Sequence, residues 1–160
     1  MLFKKKSKEL EVYACANGKV IQIENVPDLM FSEKMLGDGI AIETNTGEIF
    51  SPIDGQIIML QDSLHAIGIK SGDGIEILIH IGLDTVELKG EGFKKNINLN
   101  DRVRKGQSLI TFDKKKIEEK GYNTITMMLV VDNERIIKIE KDSVIEKPLL
   151  KIQYKNSSKD

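Results

Sequence analysis

The stretch Gly74-Ile75-Glu76-Ile77-Leu78-Ile79-His80-Ile81-Gly82, continuing as Leu83-Asp84-Thr85-Val86-Glu87-Leu88-Lys89-Gly90-Glu91-Gly92, decides how the rest of the chain is read. From Ile75 to Ile81 the residues fit a strand with period two, which places Ile75, Ile77, Ile79 and Ile81 on one face and Glu76, Leu78 and His80 on the other. Four isoleucines make the first face core. The second sets an imidazole beside an exposed leucine, in a chain with two histidines in all. Gly82 follows directly, where backbone can come close to a ligand. A histidine so placed reads as a nucleophile able to carry a phosphoryl group.

Working outward, the other histidine lies in Asp62-Ser63-Leu64-His65-Ala66-Ile67-Gly68-Ile69-Lys70-Ser71. His65 opens a strand that leads through the Ser71 to Gly74 turn into the His80 strand. If that turn closes a hairpin, both imidazoles sit at the end away from it, on neighbouring strands. A free imidazole titrates near about 6.5, so each offers an unprotonated nitrogen at neutral pH. One histidine accepts phosphate; the second can donate to phosphoryl oxygens as charge shifts, and Ser63 can fix its tautomer. By default a lone histidine is structural and Ser63 a turn residue. Gly37-Asp38-Gly39, Gly72-Asp73-Gly74 and Gly90-Glu91-Gly92 superficially resemble phosphate loops, but without a following helix or lysine they read as turns.

The remaining chain is rich in short β-branched or aliphatic runs: Val12–Tyr13, Val20–Ile23, Ile40–Glu43, Ile57–Leu60, Ala66–Lys70, Leu109–Phe112, Met128–Val131, Ile136–Ile139 and Leu149–Gln153. Turn signals such as Asn17-Gly18, Asp54-Gly55, Asp73-Gly74 and Asp132-Asn133 separate them. The expected fold is all-β, an antiparallel sandwich or barrel-like arrangement, with short helical turns near Asp28 to Leu36 and Asp113 to Lys120. Ala16-Asn17-Gly18-Lys19-Val20-Ile21-Gln22-Ile23 is echoed by Ile53-Asp54-Gly55-Gln56-Ile57-Ile58-Met59-Leu60. This predicts a duplicated hairpin motif whose two units pack on each other.

The 160 residues suit one domain, expected over residues 11–153 between flexible tails at 1–10 and 154–160. The net charge of -1, with both signs interspersed, lacks the basic field that nucleic-acid binding needs. Cys15 has no second cysteine to pair with and reads as a buried small hydrophobe. The absence of a secretory segment and of a long apolar run predicts a cytoplasmic location. Leu2 and Phe3 precede Lys4, Lys5, Lys6 and Lys8, which read as a solvated tail capable at most of weak contact with an anionic membrane surface.

Three segments together, Pro52-Ile53-Asp54-Gly55-Gln56-Ile57, His65 to Ser71 and Gly74 to Phe93, resemble the glucose family of enzyme IIA from the bacterial phosphoenolpyruvate-dependent sugar phosphotransferase system. Asn25 to Ile42 resembles it in the same order and spacing, so the likeness spans about Val12 to Leu150. It implies a single domain of that family, with His80 accepting phosphate at Nε2 from the phosphohistidine of HPr and passing it to a cysteine of a sugar-specific IIB domain. His65 would stabilise the phosphoryl group, with Ser63 as its hydrogen-bonding partner. Asp28 and Asp84 would flank the site. Leu29, Met30, Phe31, Met35, Leu36, Leu78 and Val86 would form an apolar ring for docking, with Gly82 beside it. Ser63 stands where threonine is common and keeps the hydroxyl; Gln61 stands where an aromatic is often found; Cys15 and Met127 replace prolines. With no IIB or IIC segment present, the acceptor is expected in trans.

The resemblance also implies possible docking, unphosphorylated, on permeases or on metabolic enzymes such as kinases. No cofactor is then required, although His65 and His80 would supply two ligands to a Zn²⁺ completed by a partner carboxylate, since two histidines cannot close a resident site. Two other classes compete: a metallohydrolase, which needs a third ligand in a motif this chain lacks, and a regulatory module whose histidines transfer nothing.

Overall fold

The computed structural model describes residues 7–156. In chain order the elements are β1 (Ser7–Val12), β2 (Gly18–Gln22), a 3-10 turn (Ile23–Asn25), α1 (Leu29–Ser32), β3 (Asp38–Thr44), β4 (Glu48–Phe50), β5 (Gly55–Leu60), β6 (Ala66–Lys70) and β7 (Glu76–Ile81). There follow a second 3-10 turn (Thr85–Leu88), β8 (Phe93–Lys95), β9 (Arg102–Val103), β10 (Ser108–Phe112), α2 (Lys114–Glu119), β11 (Thr126–Val130), β12 (Ile136–Lys141) and β13 (Leu150–Lys155).

The alternation in β7 places that strand at the centre of the largest sheet. Seven strands run in the order β2-β3-β11-β7-β6-β5-β9, and β7 is the fourth. Its isoleucines Ile77, Ile79 and Ile81, with Ile75 just before, are wholly buried in one cluster. That cluster also takes Ile49, Leu109, Ile110 and Phe112 from the sheet β4-β10-β8, and Leu150, Ile152 and Tyr154 from the sheet β1-β13-β12. The two small sheets therefore cover one face of the large one, and all strand pairs are antiparallel, as in a β-sandwich. Cys15 lies in this core, where burial pushes its thiol up to about 12, so it behaves as the expected hydrophobe.

The other face of the large sheet is covered only in part. Ile23, Val26 and Phe31, from the segment that links β2 to β3, pack on Ala41 of β3, on Met127 and Leu129 of β11, and on Ile125 just before it. Leu78 joins them and is half-buried rather than exposed. The uncovered remainder of this face is where His80 emerges.

Several boundaries differ from expectation. The tail assigned to residues 1–10 is corrected: Ser7–Leu10 lie in β1 and pair with β13 from Ile152 to Lys155, so Tyr154 and Lys155 are sheet as well. Leu10 and Tyr154 continue the alternation of Val12 and of Leu150 and Ile152 by one step, and backbone pairing carries the strands on to Ser7 and Lys155. The lysine-rich start at 1–6, with its membrane reading, and residues 157–160 lie outside the described residues. The repeated units do not pack on each other; β2-β3 and β5-β6 flank the β11-β7 pair within one sheet. Their glycines nonetheless occupy equivalent places. A Cβ on Gly18 would fall 2.1 Å from the Glu43 carbonyl oxygen, and one on Gly55 would fall 2.4 Å from that of Lys70. Asp38 and Gly39 are the first residues of β3, not a turn.

Candidate active site

The hairpin brings the two histidines together as the turn position predicts. Lys70 pairs with Glu76 beside the turn, and the register carries through to Ala66 opposite His80 at the far end. The Ile81 N–H donates to the His65 carbonyl at 2.7 Å, which extends the pairing by one step. His65 and His80 then meet edge to face, ring centroids 5.1 Å apart at 79°. Ser63 and His65 are hydrogen-bonded through Oγ and Nδ1. This bond closes a tight loop: Gln61 and Ala66 share a backbone bond, and Leu64 between the two site residues adopts a left-handed conformation with φ 59°.

His80 is oriented from its Nδ1 side. Nδ1 lies 2.9 Å from the carbonyl oxygen of Gly82, and because a carbonyl only accepts, Nδ1 carries the proton and Nε2 holds the free lone pair. Gly82 can make this contact because it has φ 80° and no side chain; a Cβ there would lie 2.5 Å from Thr85 Cγ2 and 2.8 Å from the Asn123 carbonyl oxygen. Burial pushes the His80 imidazole down to about 4, and neighbouring His65 pushes it the same way. The Gly82 carbonyl and the Asp28 and Asp84 carboxylates oppose this without overcoming it. His65 is also held below the usual imidazole value by burial. Both rings are neutral at pH 7, and the pair can offer a nucleophilic nitrogen beside a hydrogen-bonding partner.

The surroundings divide into floor and rim. Phe31, expected in the exposed ring, is instead 4% exposed, with its ring centroid 4.9 Å from that of His80. The resemblance groups Phe31 with Leu29 and Met30, but its side chain turns to the sheet and forms the wall against which His80 rests. Leu29, at 68% exposure, Met30, Met35, at 66%, Leu36 and Val86 do stand in solvent. Asp28 caps α1, accepting from the Met30 N–H at 3.0 Å, and this holds the exposed leucine and methionine in place. Asp84, with φ 59°, ends the bend after β7 and starts the 3-10 turn that carries Val86. Register also places Met127 of β11 and Ala66 of β6 on either side of His80; neither is given a site role from sequence, where Met127 figures only as standing in place of a proline. The hairpin register alone identifies Ala66; Met127 requires knowing that β11 pairs with β7, a long-range contact with no local signal. Among the described residues, no three His, Cys, Asp or Glu side chains come together as a metal site, so the pair presents imidazole nitrogens alone.

The chain matches, over residues 10–136, the family described as phosphoenolpyruvate-dependent sugar phosphotransferase system, EIIA 1. It is 41% identical over 135 residues to the PTS system glucose-specific EIIA component of Halalkalibacterium halodurans, covering 84% of this chain and 78% of that one. Against the protein of the same name from Buchnera aphidicola the identity is 42% over 137 residues, covering 86% and 85%. Among solved structures it is similar to glucose permease IIA from Mycoplasma capricolum, with a TM-score of 0.81 and 32% identity over 90% of this chain and 96% of that chain.

Proposed function

The chain belongs to the EIIA 1 family of the phosphoenolpyruvate-dependent sugar phosphotransferase system, and on that premise we propose that His80 is the phosphoryl carrier between phospho-HPr and a cysteine of a glucose-type IIB domain. The observation that carries this reading is the tautomer of His80, whose protonated Nδ1 on Gly82 leaves Nε2 as the nucleophile. In the first step the Nε2 lone pair forms a bond to phosphorus while the donor N–P bond breaks and its electron pair stays on the donor imidazole. In the second a thiolate attacks, an S–P bond forms, and the electron pair of the broken N–P bond returns to Nε2. Throughout, Nδ1–H remains on the Gly82 carbonyl, so His80 needs no proton from solvent to act.

His65 has the complementary role. Its ring edge faces His80, and with Ser63 fixing the Nδ1 side, Nε2–H is free to donate to phosphoryl oxygens as charge moves between partners. The exposed apolar residues around an imidazole centre suit brief docking by more than one protein, and Asp28 and Asp84 favour partners with basic rims. On this reading the chain works in the cytoplasm, where HPr and a IIB domain would meet it. A docked partner that contributes carboxylate ligands would allow the two imidazoles to share a Zn²⁺ at the interface.

Incubation with phosphoenolpyruvate, enzyme I and HPr tests the reading. One acid-labile phosphoryl group is expected on the chain, discharged on adding a glucose-type IIB domain. A chain that stays unlabelled is a regulatory docking module, and metal-dependent turnover without labelling is hydrolysis.

A further inference from the structure

The two peptide units on either side of Gly82 are held at all four polar atoms. In the first, the Ile81 carbonyl accepts the Thr85 hydroxyl, and the Gly82 N–H donates to the Ile125 carbonyl at 2.8 Å. In the second, the Leu83 N–H donates to the Asn123 carbonyl at 3.0 Å, and the Gly82 carbonyl accepts from His80 Nδ1 at 2.9 Å. Three of these bonds determine where the fourth acceptor points. Ile125 and Asn123 supply theirs from backbone, in a segment that the Asn123 side chain steadies by accepting from the Ile125 N–H at 2.8 Å. Thr85 is the one member that acts through a side chain on the bend itself, and it is wholly buried.

Resting on the phosphocarrier reading, we propose that Thr85 is a positioning residue for His80: by fixing the Ile81–Gly82 peptide it aims the Gly82 carbonyl at Nδ1 and so selects the tautomer with Nε2 free. Among the described residues, Thr85 makes no hydrogen bond to either imidazole and acts through the Ile81 carbonyl. Without its hydroxyl the Ile81 carbonyl is a buried acceptor lacking that partner, the peptide is free to turn, and Nδ1 loses its fixed acceptor. The imidazole can then populate both tautomers and offer either nitrogen to phosphorus.

The test uses ¹⁵N-labelled wild type, Thr85→Val and Thr85→Ser, with ring-nitrogen NMR of His80, initial rates of phosphorylation by phospho-HPr, and thermal melting of each. Wild type and Thr85→Ser should show a protonated Nδ1 and react alike. Thr85→Val should show mixed tautomers, slow by about tenfold, and carry part of its phosphate on Nδ1. Thr85→Ala, which removes the hydroxyl without adding bulk, serves if the valine variant does not fold. A folded Val or Ala variant with Nδ1 still fully protonated and wild-type rates overturns the proposal. The ring spectra need no partner, so failure of wild type to accept phosphate removes the carrier reading and leaves the tautomer result to stand or fall separately.

Discussion

A neutral imidazole held beside a second one gives this site its pH behaviour. The unfolded His80 takes up a proton near pH 6.5, whereas the folded ring resists until about 4. Its contribution to stability is therefore fully present above pH 6.5 and is lost as pH falls from there toward 4, by up to about 3 kcal/mol. Urea titrations at pH 7 and pH 4.5 should show wild type losing more stability than His80→Gln over that window; equal losses would mean that the ring is not desolvated. His65→Gln should still accept phosphate but pass it to IIB at least about tenfold more slowly, because the nucleophile remains and the donor to the moving charge changes. Gly82→Ala should cost about 2 kcal/mol or more, since the new Cβ meets Thr85 and the Asn123 carbonyl at a φ of 80°. Its readout is a lowered melting temperature together with slower acceptance.

At the scale of elements, β7 works because its two faces have unlike tasks. Ile77, Ile79 and Ile81 anchor it between β6 and β11, so the imidazole on the other face starts from a rigid strand and not from a loop. Ile79→Ala should destabilise the domain by about 2 to 5 kcal/mol through the cavity it leaves, read as a shift in denaturant midpoint. Leu29→Ser and Met35→Ser on the rim should change stability by no more than about 0.5 kcal/mol and weaken HPr binding instead, since both side chains stand in solvent. The same elements show what the residues disclosed. Period two in Ile75 to Ile81 and the Asp73-Gly74 turn were sufficient to bring His65 against His80, because hairpin register is set locally. β4, β8 and β9, of three residues or fewer, are too short for alternation to show, and pairing with longer strands creates them. The resemblance alone names Phe31 for the ring, and in a four-residue helix no periodicity is available to separate the face turned to the sheet from the face turned to solvent.

Across the whole molecule, two small sheets seal one side of a seven-stranded sheet, and one short segment seals only part of the other. The uncovered part carries the His65–His80 pair at its centre and apolar side chains at its rim, on a chain whose net charge of -1 exerts little long-range field. If Asp28 and Asp84 meet a basic rim as proposed, association with HPr should weaken as salt rises. The measurement that bears most directly on this account is ¹⁵N and ³¹P NMR of the chain after phosphorylation through enzyme I and HPr, which identifies the nitrogen bonded to phosphorus. The expected result is a single phosphoryl group on Nε2 of His80, with Nδ1 still protonated and the label absent from His80→Ala. Phosphate on His65, or on Nδ1 of His80 in the wild-type chain, would contradict it.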